Sequence, residues 1–142
     1  MTDLQPDTRQ MQLRGLHHVT LVCADAERST AFYRDVLGLA LVRQGANDDD
    51  PGARHFWFGD AAGAPGTLIS VMEYPQLPDG TVGRGSTHHV AFQVASAEEQ
   101  VAWRDYLRGR DVQCTEVFDR GGLTSIYFRD PDGHVLEIAA AS

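Results

Sequence analysis

The feature that most constrains the fold of this chain is an internal repeat. The segment HHVTLVCADAERSTAFYRDVLG, which begins at His17, aligns without a gap with HHVAFQVASAEEQVAWRDYLRG, which begins at His88. The two copies keep a constant offset of 71 residues along the chain. Because a repeat of this kind marks one supersecondary unit, the sequence predicts a chain built from two copies of the same unit.

Each copy predicts a strand followed by a helix. An alternating apolar run ends near Asp25 in the first copy and Ser96 in the second, and both residue types cap helices. Gly38 and Gly109 end the helices. Short runs with strand character follow each helix. They lie at 39–43, 55–59 and 67–73 in the first copy, and at 112–117, 124–129 and 134–139 in the second.

The predicted fold class is therefore α+β, with two tandem βαβββ units, each a curved mixed sheet with a covering helix. We expect a flexible lead-in over 1–14, a first unit over 15–74, a Pro- and Gly-rich linker over 75–86 and a second unit over 87–142. Two such units bury their sheet faces by packing together or by pairing with another chain, so a site is expected between sheets. A duplicated scaffold without any site is the alternative.

Charge and hydropathy exclude several function classes. The 142 residues carry a formal net charge of -8 and lack a basic cluster, which argues against nucleic acids and anionic membranes as partners. The polar start MTDLQPDTRQMQ lacks the apolar stretch of a signal peptide, and no apolar run reaches membrane-spanning length. A cytoplasmic location is therefore expected.

Three residues are placed like metal ligands. Strand parity puts His18 on one sheet face with Thr20, and His89 is its equivalent in the second repeat. Near the end, a turn in RDPDGHVLEIA precedes a strand in which Glu137 lies among apolar residues and needs a partner. Two imidazoles and one carboxylate form the set that binds non-haem Fe(II) with open positions. A lone histidine on a strand is, however, more often a structural residue.

The motifs resemble those of the vicinal oxygen chelate superfamily, which includes glyoxalases, ring-cleaving dioxygenases and the bleomycin and fosfomycin resistance proteins. The resemblance runs from about Gly15 to Ala139. It is carried by GLHHVTLVCADAERSTAFYRDVLGL, STHHVAFQV and FRDPDGHVLEI. It implies the paired βαβββ fold, but the reaction stays open because this scaffold supports many chemistries.

The resemblance also implies the metal ligands, which are His18, His89 and Glu137. Glyoxalases have a fourth ligand from the first unit. Aligning GTLISVME with GHVLEIAA puts Ser70 opposite Glu137, so that acid is absent here. Glu73 is three residues further along and is predicted on the opposite face of the strand. The set is therefore 2-His-1-carboxylate.

Within the superfamily, the chain is most similar to iron-dependent dioxygenases that open hydroquinone rings. His17 and His88, which precede the two ligand histidines, match residues that act around the substrate. Thr20 and Arg120 match further positions beside the metal ligands. We expect His17 or His88 to move the phenolic proton, Thr20 to hydrogen-bond a bound oxygen or orient His17, and Arg120 to stabilise negative charge. Structural roles are the alternative: the two histidines could cap strand ends, and Arg120 could pair with Asp119 or Asp130.

The hydroquinone enzymes have about twice this length and four units, so a homodimer is expected to complete the site. His18 would then come from one subunit, with His89 and Glu137 from the other. Pairing within one chain is the alternative.

The predicted function is an Fe(II)-dependent, extradiol-type ring-cleaving dioxygenase that acts on a hydroquinone or catechol. Its partners are a small aromatic or enediol-forming substrate and dioxygen, and Mn(II) or another divalent metal could replace iron. The alternatives are a glyoxalase-type isomerase, lyase or thiol transferase, and a metal-free protein that sequesters an aromatic drug. The sequence leaves the role of His55 open.

Overall fold

The structure is a computed structural model that describes residues 10–141, which form eight β-strands and two α-helices. The first helix continues directly into a π-helical segment, Ala31–Val36. The strands are β1 His18–Cys23, β2 Ala40–Asn47, β3 Asp50–Gly59, β4 Leu68–Glu73, β5 Val90–Gln93, β6 Phe118–Asp119, β7 Leu123–Arg129 and β8 Val135–Ala141. The helices are α1 Ala26–Thr30 and α2 Ala97–Gly109.

The strands form two four-stranded mixed sheets with the same order of pairing. The first sheet has the order β1-β4-β3-β2 and the second β5-β8-β7-β6. In the first sheet β1 runs parallel to β4, and in the second β5 runs parallel to β8; all other neighbouring strands are antiparallel. The predicted α+β fold of two tandem βαβββ units is confirmed.

The structure describes only part of the lead-in predicted over 1–14, because residues 1–9 lie outside the described residues. Residues 10–14 are exposed and lie in no helix or strand. The boundaries predicted for the two units and the linker stay predictions. None of the helices within residues 10–141 has the length and apolar character needed to cross a membrane.

The two predicted helix caps are confirmed. The Asp25 carboxylate accepts hydrogen bonds from the backbone N–H groups of Glu27 and Arg28 at 3.0 and 3.3 Å. The Ser96 hydroxyl accepts one from the Glu99 N–H at 3.1 Å. These bonds satisfy donors that the first turn of a helix leaves free, so both helices begin where the sequence places them.

The strand predicted at 112–117 is wrong, and the structure has only the two-residue β6 just beyond it. Side chains occupy the backbone groups that a sheet ladder would need. The Arg108 guanidinium donates to the Cys114 carbonyl at 2.9 and 3.1 Å, and the Thr115 hydroxyl accepts from the Tyr127 N–H at 3.1 Å. The Thr115 N–H still donates to the Tyr127 carbonyl at 3.0 Å, so one backbone contact with β7 remains. A segment with strand-like alternation therefore does not become a strand when side chains take its other hydrogen bonds.

One core extends through both units. The Phe32 ring lies 6.3 Å from that of Phe128, and the buried Tyr33 hydroxyl donates to Asp130 at 2.7 Å. The turn at 130–134 also holds the end of β1. Asp132 accepts from the Ala24 N–H at 2.9 Å, and the His134 Nε2 lies 2.8 Å from the Val22 carbonyl oxygen. The core thus sets the position of β1, the strand that carries His18, against the second unit.

Candidate metal and substrate site

Each sheet has one face that packs on the core and one that faces away from it. The predicted site residues belong to the outward faces. We call these the first face, which carries His18, Thr20, Ser70, His55 and Trp57, and the second face, which carries His89, Ser125, Tyr127 and Glu137. Strand parity brings each set to one side because alternate residues point the same way.

On the second face, the structure brings His89 and Glu137 together. The His89 Nε2 lies 2.9 Å from the Glu137 Oε1. The Ser125 hydroxyl donates to the other carboxylate oxygen, Oε2, at 2.6 Å. The Glu137 side chain is only 5% exposed, against 33% for His89. A buried carboxylate held at one oxygen by a hydroxyl and at the other by an imidazole has a defined orientation.

On the first face, two hydroxyls occupy the corresponding place. The Thr20 and Ser70 hydroxyl oxygens lie 2.6 Å apart, and Ser70 is fully buried. Ser70 pairs with Trp57 in the sheet, as Glu137 pairs with Tyr127 in the other sheet, so the two positions are structurally equivalent. This agrees with the absence of a fourth acidic ligand from the first unit.

Glu73 lies on the other side of the first sheet. Its carboxylate accepts from the Ala26 N–H at 2.7 Å and from Arg54 at 2.7 and 2.9 Å. The Arg54 guanidinium lowers the pKa of Glu73. The prediction that Glu73 points away from Ser70 is confirmed.

The doubled histidines form the same contact twice. The Nδ1 atoms of His17 and His18 lie 3.0 Å apart, and those of His88 and His89 lie 2.8 Å apart. In such a pair one Nδ1 must donate and the other accept. If the inner ring, His18 or His89, donates from Nδ1, its Nε2 is unprotonated and free to bind a metal, and the outer ring keeps a proton on its own Nε2. For His89 this arrangement applies once a metal replaces the Nε2 proton that the 2.9 Å contact with Glu137 requires. His17 and His88 can thereby orient the candidate ligands.

Arg120 does not form the ion pairs that the structural alternative required. No salt bridge joins Arg120 to Asp119 or Asp130 within the described chain; the Asp119 carboxylate accepts from the Gly121 N–H instead. The guanidinium carbon lies 4.8 Å from the centroid of Phe118 and 5.6 Å from that of Tyr127. This stacking leaves the charge beside the second face, where it can meet an anionic ligand.

His18 does not join the other two candidate ligands within one chain. Among residues 10–141, the only group of three His, Cys, Asp or Glu residues with ligand atoms within 4.8 Å is Asp25, Glu27 and Glu73. That group is already engaged by Arg54 and by backbone N–H groups. His18 is exposed and lies edge-on to Trp57, with ring centroids 4.6 Å apart.

The donor atoms of the second face suit a divalent metal. Adjacent ligands on a metal at about 2.1 Å from each donor lie about 3 Å from one another. The 2.9 Å between His89 Nε2 and Glu137 Oε1 agrees with that separation. One imidazole and one carboxylate leave the set incomplete, and the second imidazole that non-haem iron prefers is available at His18.

His55 also lies on the first face, 4.9 Å from the Trp57 ring centroid. Burial lowers the pKa of His55, with a smaller effect in the same direction from Arg43 and His18 and an opposing one from Asp48. The ring therefore favours its neutral form. Its Nε2 is buried and has no hydrogen-bond partner among the described residues.

Sequence reasoning missed Ser125, the residue that holds the Glu137 carboxylate. The signal was present but weak: Ser125 is a small polar residue on the strand beside that of Glu137, at matching parity. Recognising it needs the register of β7 against β8, which a single sequence does not supply.

Comparison with known proteins identifies the family. The model of the Glyoxalase/Bleomycin resistance protein/Dioxygenase superfamily matches residues 15–138. The chain is 38% identical over 115 residues to "Putative ring-cleaving dioxygenase MhqE" of Bacillus subtilis (strain 168). This match covers 80% of this chain and 38% of that protein. It is 28% identical over 132 residues to "Metallothiol transferase FosB" of Staphylococcus epidermidis, with 92% of this chain and 86% of that protein covered.

A solved structure of a protein that is also named a dioxygenase has a fold similar to that of this chain. The crystal structure of a putative dioxygenase from Bacillus subtilis subsp. subtilis str. 168 superposes with a TM-score of 0.82 and 34% identity. The match covers 90% of this chain and 41% of that chain. The present chain thus spans about two fifths of the length of these dioxygenase-like relatives.

Proposed function

The chain belongs to the Glyoxalase/Bleomycin resistance protein/Dioxygenase superfamily, and on this premise we propose that it is an Fe(II)-dependent dioxygenase that cleaves the ring of a hydroquinone or catechol. Its similarity to a relative named "Putative ring-cleaving dioxygenase MhqE" and to a solved structure named "putative dioxygenase" supports the reaction class. We further propose a cytoplasmic location and a small-molecule substrate.

The observation that carries the proposal is the difference between Glu137 and Ser70 at equivalent positions of the two sheets. One carboxylate with two histidines is the ligand set of non-haem iron oxygenases, which keep positions open for substrate and dioxygen. A second carboxylate at Ser70 would close one of those positions. Fe(II) held by His18, His89 and Glu137 would supply the Lewis acidity that favours a phenolate and a path for electrons from the substrate ring, which is the reductant, to dioxygen.

The other residues have roles that follow from their contacts. His17 and His88 have imidazoles beside the ligand rings, at 3.0 and 2.8 Å, and either can take the phenolic proton and return it once its Nδ1 releases the bond from the ligand ring, because its Nε2 already carries a proton. Arg120, stacked on Phe118 and Tyr127, can stabilise negative charge on the ring oxygens. The Thr20 hydroxyl, bonded to Ser70, can hydrogen-bond an oxygen of the ligand.

We propose that a homodimer completes the site, because His18 does not reach His89 and Glu137 within one chain. A two-fold axis would place the first face of one subunit against the second face of its partner. Mixing His18→Ala subunits with Glu137→Ala subunits tests this arrangement. The mixture should regain activity, since one of its two sites is then intact; inactivity of a verified heterodimer would contradict the shared site.

The reaction is tested by oxygen uptake. Protein reconstituted with Fe(II) under nitrogen is offered a panel of hydroquinones and catechols, and loss of the aromatic ultraviolet band is followed in parallel. Coupled uptake and ring loss are expected. Iron binding without uptake across the panel would refute the dioxygenase and favour transferase or isomerase chemistry. The similar FosB protein is named a metallothiol transferase.

A further inference from the structure

Arg43 lies at the outer edge of the first face. The backbone register places Thr20, Ser70, Trp57 and Arg43 in one line across the four strands of the first sheet. Residues paired across strands share one side of a sheet, and neighbouring strands lie about 4.8 Å apart. Arg43 is therefore beside Trp57 and three strand spacings, about 14 Å, from Thr20 along the backbone.

The Arg43 guanidinium is weakly engaged in its own chain. Its ion pair with Asp48 is 3.9 Å long, and the two side chains are 70% and 90% exposed. A contact this long between exposed groups contributes little free energy, so it competes weakly with a ligand. The charge is nevertheless felt on the first face, since burial lowers the pKa of His55 and Arg43 lowers it further.

Six other arginines are held more closely. Each has a carboxylate or carbonyl oxygen within 2.5 to 3.0 Å, and the six are Arg28, Arg34, Arg54, Arg104, Arg108 and Arg129. Arg43 differs from this set, as does Arg120, which lies against aromatic rings. Each face therefore presents one guanidinium that can accept an anionic partner, in a chain whose formal net charge is -8.

The two guanidinium groups occupy different places on their faces. The line of residues across the second sheet runs through Ala91, Glu137 and Tyr127. It continues to the uncharged Thr115, whose N–H donates to the Tyr127 carbonyl at 3.0 Å. Arg120 instead stacks on the Tyr127 ring, next to the candidate ligand Glu137. A cation at the outer end of the line is thus a feature of the first face.

We propose that Arg43 binds an anionic substituent of the substrate, and that the substrate is a dihydroxy aromatic ring that carries a carboxylate. The inference rests on the proposed function and narrows its substrate class. A ring whose hydroxyls lie beside His18 would lie against Trp57, because the His18 and Trp57 ring centroids are 4.6 Å apart. Arg43 flanks Trp57 on the side away from Ser70, so the far edge of such a ring would point toward the guanidinium.

The chemistry of the guanidinium selects the substituent. Its planar fork donates two parallel hydrogen bonds to a carboxylate, and both partners are charged. A neutral ring offers no such acceptor at its far edge. Arg43 should therefore favour carboxylated rings over neutral ones, whereas Arg120, proposed to act on the ring oxygens, should affect both kinds of ring alike.

The test compares two matched ligands without turnover. Fe(II)-loaded protein is titrated calorimetrically under nitrogen with catechol and with protocatechuate, which is catechol with a carboxylate on the side of the ring away from one hydroxyl. Wild type should bind protocatechuate about tenfold more tightly than catechol. Arg43→Gln should remove most of this preference and leave the catechol affinity unchanged. Arg43→Lys, which keeps the charge but not the fork, should keep part of it.

Arg34→Gln is the matched control. It removes another exposed guanidinium, bonded to Asp35 in the segment Ala31–Val36, and so makes the same change in net charge away from the first face. This variant should retain the preference for protocatechuate. An equal loss in Arg34→Gln and Arg43→Gln would assign the preference to net charge and overturn the proposed contact.

The remaining outcomes also decide the inference. Equal affinities of wild type for the two ligands, or a preference that survives in Arg43→Gln, would overturn it. Unchanged catechol binding by Arg43→Gln shows an intact fold and makes a selective loss of protocatechuate affinity specific to the guanidinium. Absence of oxygen uptake by wild type, together with an Arg43-dependent preference, would refute the proposed reaction and support the carboxylate contact.

Discussion

The last strand of each unit contains one glutamate, and the two glutamates lie on opposite sides of their sheets. In β4, Glu73 faces the helix, where Arg54 and the Ala26 N–H hold it. In β8, Glu137 faces outward, where His89 and Ser125 hold it. Because side chains alternate along a strand, an odd shift of position turns a candidate metal ligand into a structural ion-pair partner. The duplicated fold thus supports two different chemistries on equivalent strands, one on each side of the sheet.

The largest effect should follow from removing the carboxylate of the second face. Glu137→Ala deletes a charged ligand, so Fe(II) affinity should fall by more than about 100-fold, beyond the loss usual for residues around a ligand. Circular dichroism should stay native. Iron per subunit after gel filtration measures the effect, and unchanged stoichiometry would contradict a ligand role for Glu137.

A smaller effect should follow from removing the hydroxyl that orients Glu137. Ser125→Ala leaves one carboxylate oxygen without its 2.6 Å donor, so metal affinity should fall by about 10- to 100-fold. Ser70→Ala is the matched control on the first face, since that hydroxyl bonds to Thr20 and not to a carboxylate. Equal losses in the two variants would show that the faces do not differ as described.

The smallest effect concerns the glutamate on the helix side. Arg54 lowers the pKa of Glu73 and, together with backbone hydrogen bonding, lowers that of Glu27 to about 2 from an ordinary value of 4.5. A lowered carboxyl pKa stabilises the fold fully above pH 4.5, and this contribution is lost as the pH falls from 4.5 toward 2.

Arg54→Gln should therefore lower the melting temperature by at most a few degrees at neutral pH, because Arg54 is half-exposed and Glu27 is largely exposed. Below pH 4.5 the difference from wild type should shrink. Thermal melts at stepped pH, repeated with Arg129→Gln as a control outside this cluster, measure the effect. A difference that grows as the pH falls would contradict the assignment.

The helix faces show where pattern reasoning succeeded and failed. The repeat predicts both helices, and the caps at Asp25 and Ser96 are confirmed. Helical spacing predicts an apolar stripe in the second helix made of Val101, Ala102, Tyr106 and Leu107, but only Leu107 of these is buried, while the polar Gln100 is fully buried. Its amide donates to the carbonyls of Thr124 and Ile138 at 2.8 and 2.9 Å. A polar side chain can replace an apolar one in a core when its hydrogen bonds are met, which periodicity does not reveal.

Some features of the candidate site were likewise predictable from the sequence pattern, and others were not. Strand parity predicts that His18 shares a face with Thr20 and that Glu73 and Ser70 lie on opposite faces, and the structure agrees. The bond from Ser125 to Glu137 depends on the register between two strands, and the row of His18, Trp57 and His55 depends on side-chain rotamers. Both arise from contacts between residues distant in sequence.

The sequence by itself therefore determined the duplicated βαβββ architecture, the candidate ligand residues and the lack of a second outward carboxylate. These follow from alignment of the repeats and from the alternation of side chains, which are local properties of the chain. Only the tertiary structure decided that His89 meets Glu137 while His18 does not join them, and that the His55 Nε2 is buried without a hydrogen-bond partner among residues 10–141. Which side chains meet depends on strand register and on the packing of the two units, and a local pattern encodes neither.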